Sequence, residues 1–411
     1  MKDALFSRAH ALQEELVTHR RHLHRNAEVG MDLPKTIQYV KERLTEFGYQ
    51  PEECGKSGIV ALAGGKKPGP VFLLRADMDA LPLAEEADVD YASVTENMHA
   101  CGHDLHTAML LGAAKLLKEN EDEIEGTIKL MFQPAEETLE GAHDMIEAGL
   151  LENPNVDAGL MMHVMTGMPI PEGTFIVPNP GIGSAASDWF TISIQGKGGH
   201  GAMPSKSVDP INVAAHTHLN LQTIHSRELE PGDGAVLTIG MIKAGTTSNV
   251  IPDTAELHGT LRTFHPETRG FVKDRIVDIS EMTASALRAK ASVKFYNGCP
   301  SVMNDKSLVN EATRYLTELL NEKSVLPMEK IMPSDSGKKM SGSEDFAFVS
   351  ERVPSLMLVL AAGDAGKGYT FPQHHPKAKF DDSVLHRGAA AYAYLALRWL
   401  QDNKSSNCPD V

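Results

Sequence analysis

The chain has 411 residues, 42% hydrophobic and 23% charged, with 34 Gly and 23 Pro spread along its length; this composition excludes collagen, coiled coil and wholesale disorder. Its formal net charge of −16 sets a field against phosphate backbones and anionic lipid surfaces, so neither nucleic acid nor a membrane is an expected partner. At roughly 100–200 residues per domain, the length suits two or three domains, each able to bury a core.

In chain order, apolar residues Leu5, Ala9, Leu12, Leu16 and Leu23 recur near helical spacing over 4–24, and a second helix over 34–48 starts on Pro34. Short apolar strands are predicted at Gly58–Ala63, Val71–Ala76, Thr127–Phe132 and Val156–Met162, with helices at Leu105–Leu117 and Ala142–Gly149 between them. Such alternation implies an α/β layer on a mostly parallel sheet. The pattern changes near residue 187: strand Trp189–Gln195, helix Pro210–Ile224, strands Ala235–Lys243 and Glu256–Thr263, helix Glu267–Leu287 and strand Ser292–Tyr296 follow. Their β-α-β-β-α-β order is that of a ferredoxin-like sandwich. The α/β style then returns with helix 307–321, strand 355–360 and helix 383–401. The expected architecture is a discontinuous α/β domain, residues 1–186 and 300–411, interrupted by an inserted α+β domain, residues 187–299.

The longest apolar stretch, Val353–Gly363, falls far short of the ~20 residues that span a bilayer. The charged N-terminus, MKDALFSRAHALQEELVTHRRHLHR, offers no apolar signal region, so the expected location is the cytoplasm. Cys54, Cys101, Cys299 and Cys408 form no CxxC pair, which argues against a disulfide scaffold or zinc ribbon.

Metal-ligand residue types cluster at strand ends. RADMDALP closes an apolar strand on Asp77 and Asp79, two apart and therefore pointing the same way in extended chain; the alternative reading is turn or N-cap chemistry. In MHACGHDLHTA, Cys101 and His103 immediately precede a helix whose N-terminus favours a thiolate, with His99, Asp104 and His106 crowded alongside. FQPAEE ends a strand on Glu136 and Glu137, whose adjacent side chains diverge, so that one can coordinate while the other holds a proton. His163 ends the strand of GLMMHVM, and His374 or His375 of FPQHHPKAKF returns from the C-terminal part. Soft and borderline donors of this kind suit Zn, Mn, Co or Ni better than Ca or Mg, and they are too many for one tetrahedral zinc.

Seven blocks, RADMDALP, MHACGHDLHTA, FQPAEE, the His of MMHV, GKGGHGAMP, GTLRTF and SGSEDFAF, stand in the order found in dinuclear metallo-amidohydrolases. The chain thus resembles, over nearly its whole length, hippurate hydrolase, N-acyl-amino-acid amidohydrolases and indoleacetyl-amino-acid hydrolases, within the wider aminoacylase and carboxypeptidase family. The resemblance implies two divalent ions, Zn or Mn foremost, bridged by Cys101 and completed by His103, Glu137, His163 and His374. It implies Glu136 as general base and acid, and Asp79 as a carboxylate orienting a ligand. His200 of GKGGHGAMP is then an oxyanion donor, commonly supplied by a partner subunit, while Asn249 and Arg262 hold a free α-carboxylate. The implied assembly is a homodimer or tetramer through the inserted domain. The expected reaction is hydrolysis of N-acyl-L-amino acids; the rivals are a metallo-dipeptidase or carboxypeptidase and a non-catalytic metal-binding protein. Two departures from the family pattern, Ala27 where Pro is usual and Glu140 where Gly is usual, touch none of these residues.

Overall fold

Two runs of strands and helices fold together as one body, and the β-α-β-β-α-β stretch between them forms a second. The computed structural model describes residues 2–230, 232–332 and 342–404; Cys408 and Ser341, the first residue of SGSEDFAF, lie outside them. One compact unit is formed by the described residues of Met1–Gly183, Val302–Lys338 and Asp345–Val411, the other by those of Ser184–Ser301 and Lys339–Glu344.

The first unit opens on helices α1 (Lys2–Ala11), α2 (Gln13–Arg25) and α3 (Pro34–Glu46). The single helix expected over 4–24 is parted at Leu12, whose backbone stays helical (φ −86°, ψ −4°), so Leu5, Ala9, Leu12 and Leu16 still bury as one stripe. There follow β1 (Glu52–Cys54), β2 (Gly58–Gly64), β3 (Val71–Asp77), α4 (His103–Glu119), β4 (Thr127–Gln133), α5 (Gly141–Glu147), β5 (Ala158–Met165), β6 (Phe175–Val177) and β7 (Gly181–Ile182). The second unit contributes β8 (Ala186–Gln195), β9 (Gly199–His200), α6 (Pro210–Thr223), β10 (Ala235–Ala244), β11 (Val250–Ile251), β12 (Thr254–Thr263), α7 (Pro266–Ala286) and β13 (Lys290–Cys299). The chain returns to the first with β14 (Met303–Asn304), α8 (Lys306–Leu319), β15 (Val325–Pro327), α9 (Ala347–Ser350), β16 (Ser355–Ala361) and α10 (Leu385–Asp402).

The first unit's sheet has eight strands in the order β1-β2-β4-β3-β5-β16-β6-β15. Neighbours β4, β3, β5 and β16 run parallel, so their carboxyl ends lie along one edge, the usual place for a site in an open α/β sheet. Strands β3 and β4 are buried at every residue because helices cover both faces, which is why they read as continuous apolar runs rather than alternating ones. Helices α4 and α10 pack closely through small residues: a Cβ on Gly388 would meet Met109 Sδ at 1.9 Å, and one on Gly112 would meet Ala389 Cβ at 2.9 Å. The three-residue strands β1, β6 and β15 escape sequence reading because they are too short to show a period.

The second unit has strand order β10-β12-β8-β13, all antiparallel, the ferredoxin-like arrangement. Its core joins Phe190, Ile192 and Ile194 of β8 to Val213 and Leu221 of α6 and Val272 and Ile276 of α7. Strand β10 is an edge, and Val236, Met241 and Ile242 on it are exposed, as is Leu219 of α6.

Candidate metal centre

Four neighbouring parallel strands and one helix N-terminus bring the predicted donors of the first unit together. Strand β3 ends on Asp77, β4 leads into Glu136 and Glu137, β5 carries His163 two residues before its end, and Cys101 and His103 stand where α4 begins. Two sets of donor atoms, each within 4.8 Å of one another, share the Cys101 sulfur: Cys101, His103 and His163 in one, Cys101, Glu137 and His374 in the other. Three non-glycine residues beside these donors, Ala135 (φ 53°), Leu139 (φ 59°) and His374 (φ 62°), occupy the left-handed region, strain of a kind that clusters at functional sites.

Hydrogen bonds to main-chain carbonyls settle which imidazole nitrogens face inward. His103 donates Nδ1–H to the Asp79 carbonyl at 2.8 Å, and His163 donates Nδ1–H to the Val164 carbonyl at 2.6 Å. Nε2 of each ring is thereby turned toward the cluster, that of His163 lying 3.5 Å from Cys101 Sγ. His374 Nε2 lies 3.4 Å from Glu137 Oε1, and the His374 peptide N–H is anchored on the Ala100 carbonyl at 3.0 Å. Its neighbour turns away: His375 accepts from the Lys377 N–H and stacks on Phe371.

The donors pass a direct test of fit to divalent cations. His103 Nε2 and Glu137 Oε1 are buried without a hydrogen-bond partner, a costly condition that a cation between them relieves. Protein groups by themselves keep the cluster protonated: burial and the Glu137 charge push the Cys101 thiol well up, and burial pushes Glu137 up to about 7. Burial disfavours charge on His103, yet Asp77 and Cys101 outweigh it and hold its pKa well above the ordinary range. The helix N-terminus therefore does not by itself make Cys101 a thiolate, as the sequence suggested; burial and neighbouring carboxylates prevail, and ligation needs the cation's charge to release the proton.

Asp77 and Asp79 do not act together, because the extended strand stops at Asp77. Asp79 is wholly buried and accepts the peptide N–H groups of Glu136 (3.0 Å) and Glu137 (3.1 Å), fixing the turn that presents both glutamates. Asp77 pairs with Arg75 at 2.7 Å and His106 at 2.5 Å. Burial raises its pKa, but Arg75, His103 and His106 outweigh that and hold it well below the usual carboxylate range. Glu136 belongs to neither Cys101 set; its carboxylate lies 3.9 Å from His103 Nε2. Asp104 points away, into a buried pair with Arg20 at 2.7 Å and a bond to His24 at 2.8 Å, and His99 joins neither donor set. Sequence reasoning missed the supporting network of Arg75, Gln133 and Asp345, in which the Gln133 amide donates to Asp345 at 2.6 Å and Arg75 to Gln133 at 2.8 Å. The available signal was Arg75 itself, a charge inside the apolar strand VFLLRAD.

The remaining three predicted residues lie in the second unit. His200 and Asn249 meet where β9 pairs with β11: Val250 faces His200 in register, and the Asn249 carbonyl accepts from Gly201 at 2.9 Å. His200 is exposed, and its Nδ1 accepts the Ala202 N–H at 3.1 Å, which leaves the proton on Nε2 as a donor. Arg262 sits near the far end of β12, half-buried and bonded to Ser187, with no carboxylate paired to it among the described residues. Eight residues of strand separate it from Thr254, about 26 Å at about 3.3 Å per residue.

A parallel sheet whose strand ends converge on a shared cysteine sulfur, imidazoles and carboxylates defines a candidate metal centre, and comparison with known proteins gives its kind. Residues 73–398 match the model of peptidase family M20/M25/M40, and the chain belongs to that family. It is 38% identical over 401 residues to N-acetyl-L-cysteine deacetylase of Bacillus subtilis (97% of this chain, 91% of that protein) and 34% identical over 406 residues to IAA-amino acid hydrolase ILR1-like 2 of Arabidopsis thaliana (97% and 88%). It also resembles the crystal structure of a dinuclear metal binding M20 peptidase of Bacillus subtilis, with a TM-score of 0.77 and 33% identity over 95% of this chain and 99% of that one. The chain is accordingly a hydrolase of amide bonds.

Proposed function

We propose that this chain hydrolyses the amide bond of N-acyl-L-amino acids, releasing a carboxylic acid and a free amino acid, with two divalent ions held by Cys101, His103, His163, Glu137 and His374. The observation that carries the reading is the pair of donor sets meeting on the Cys101 sulfur with Glu136 beside them and outside both. Bound ions supply Lewis acidity, acidifying a water and polarising the amide carbonyl. Glu136 accepts the proton from the attacking water and passes it to the amine nitrogen as the C–N bond breaks. Asp79, through its two bonds to the Glu136 and Glu137 peptides, keeps both glutamates in place. Arg262, desolvated and held by Ser187, grips the free α-carboxylate through its planar fork. His200 Nε2–H and the Asn249 amide donate to the oxygen that gains charge in the tetrahedral stage. Thiolate and imidazole donors favour Zn, and the carboxylate of Glu137 is the donor that suits Mn as the second choice.

The roughly 26 Å between the His200 end and the Arg262 end of one second unit is more than a small acyl amino acid bridges. The working assembly is therefore a homodimer in which His200 and Asn249 of one copy serve the substrate held by Arg262 and Glu136 of the other. The exposed apolar edge of β10 and Leu219 of α6 are suited to pairing two copies. Mixing inactive His200→Ala and Glu136→Ala proteins tests this: heterodimers should regain about a quarter to a half of wild-type activity, and a mixture as dead as its parents would place His200 and Glu136 in one subunit.

The reaction class is tested by amine release from N-acetyl, N-benzoyl and N-indoleacetyl amino acids beside dipeptides, on apo protein reloaded with Zn or Mn. Metal-dependent cleavage of the acyl amino acids is expected. Faster cleavage of dipeptides would move the assignment to a dipeptidase, and metal binding without turnover would make the protein non-catalytic.

A further inference from the structure

His106 is completely buried and belongs to neither Cys101 set, yet both its nitrogens are engaged. Its Nε2 lies 2.8 Å from the Val164 peptide nitrogen, a group that only donates, so Nε2 is the acceptor and the proton sits on Nδ1. That proton is given to Asp77, 2.5 Å away, and Asp77 is braced by Arg75. On the far side, the Val164 carbonyl accepts His163 Nδ1–H and also the Gln373 side-chain amide at 2.8 Å, the residue immediately before His374.

The arrangement exists because the ladder between β3 and β5 stops before either strand ends. The two strands pair only from Phe72 against Ala158 to Arg75 against Met161, although β3 goes on against β4 to Asp77, so beyond Met161 the N–H groups on that side of β5 lose their backbone ladder. Two side chains replace it. Tyr392 Oη accepts the Met162 N–H at 2.9 Å while donating to the Arg75 carbonyl at 2.8 Å, and His106 accepts the next outward N–H, that of Val164. A sheet ladder thus continues through side chains up to the peptide that aims His163.

We propose that His106 is a positioning residue: a neutral imidazole strut, braced by Asp77 and Arg75, that holds the His163–Val164 peptide and through it sets the grip of the centre on the ion of the Cys101, His103 and His163 set. The inference rests on the metal-centre reading above. His374 depends on it less, because its own peptide N–H is anchored separately on Ala100.

Equilibrium dialysis of purified full-length protein against Zn or Co, with metal counted by mass spectrometry, tests the proposal on wild type, His106→Phe and His106→Gln. His106→Phe fills the space without an acceptor and should bind one of two ions 10–100-fold more weakly, the other changing less than about threefold. His106→Gln restores an oxygen acceptor for Val164 and should recover most of that loss. In a Co titration, the thiolate-to-cobalt absorption of His106→Phe should form in two separated steps. Unchanged affinity for both ions in His106→Phe would overturn the proposal, as would equal weakening of both ions in both variants, the mark of general packing damage. Failure of wild type to bind two ions would instead overturn the metal-centre reading. Should His106→Phe not fold, long-range 1H–15N spectra of histidine-labelled wild type decide: Nδ1–H at His106 supports the strut, and Nε2–H sinks it.

Discussion

Glu136→Gln is expected to lower kcat by 10²–10⁴-fold, about 3–5 kcal/mol of transition-state stabilisation, while both metal ions stay bound and KM moves little. The amide keeps the volume of the carboxylate, and the Glu136 peptide N–H still donates to Asp79, so the turn is undisturbed. Only the ability to take a proton from water and return it to the amine is lost. Glu137→Gln is the matched control, because its side chain lies in a Cys101 donor set and that of Glu136 in neither: it should lose metal first and activity as a consequence. Steady-state kinetics with metal analysis on the same preparations separates the two. Loss of an ion from Glu136→Gln would make Glu136 a ligand, and activity within tenfold of wild type would remove it from the proton path.

Cys101→Ala should abolish turnover under all metal concentrations tested, because it removes the one donor common to both sets. The wild type should gain thermal stability as Zn is added to apo protein, by about 2.7 kcal/mol when free metal reaches 100 times Kd, whereas the variant's melting temperature should not respond. His374→Ala, by contrast, spares the Cys101, His103 and His163 set and should retain one ion. Two ions still bound to Cys101→Ala, by mass spectrometry, would refute the bridging role. Metal uptake by wild type should also release protons, since burial keeps the Cys101 thiol and Glu137 protonated until a cation displaces them. That release is read by a pH-indicator titration near neutrality.

Much of the centre was legible because coordination chemistry restricts residue type more tightly than packing does. Asp79, Cys101, His103, Glu136, Glu137 and His163 all sit where apolar strands end or a helix begins, and parallel strands have ends on one edge. The direction in which a side chain points was far less legible. Asp77 and Asp79 share a spacing of two and yet face different partners, because the strand that makes such residues parallel stops between them. His374 and His375 are adjacent and chemically equal; a left-handed backbone at His374 and a stack on Phe371 separate their fates. The Cys101 thiol was misjudged for a similar reason: a helix N-terminus is visible in sequence, whereas burial among carboxylates is not.

By itself the sequence determined the fold class and the family, since hydrophobic period and residue chemistry are local properties of the chain. Only the tertiary structure decided the rest: that Cys101 is shared by two donor sets, that Asp104 serves Arg20 instead of the centre, and that His106 accepts a β5 N–H beyond the end of the β3–β5 ladder. Each of these turns on hydrogen bonds between residues tens to hundreds of positions apart. Such pairings arise from which distant elements are packed side by side, a property no stretch of sequence carries alone.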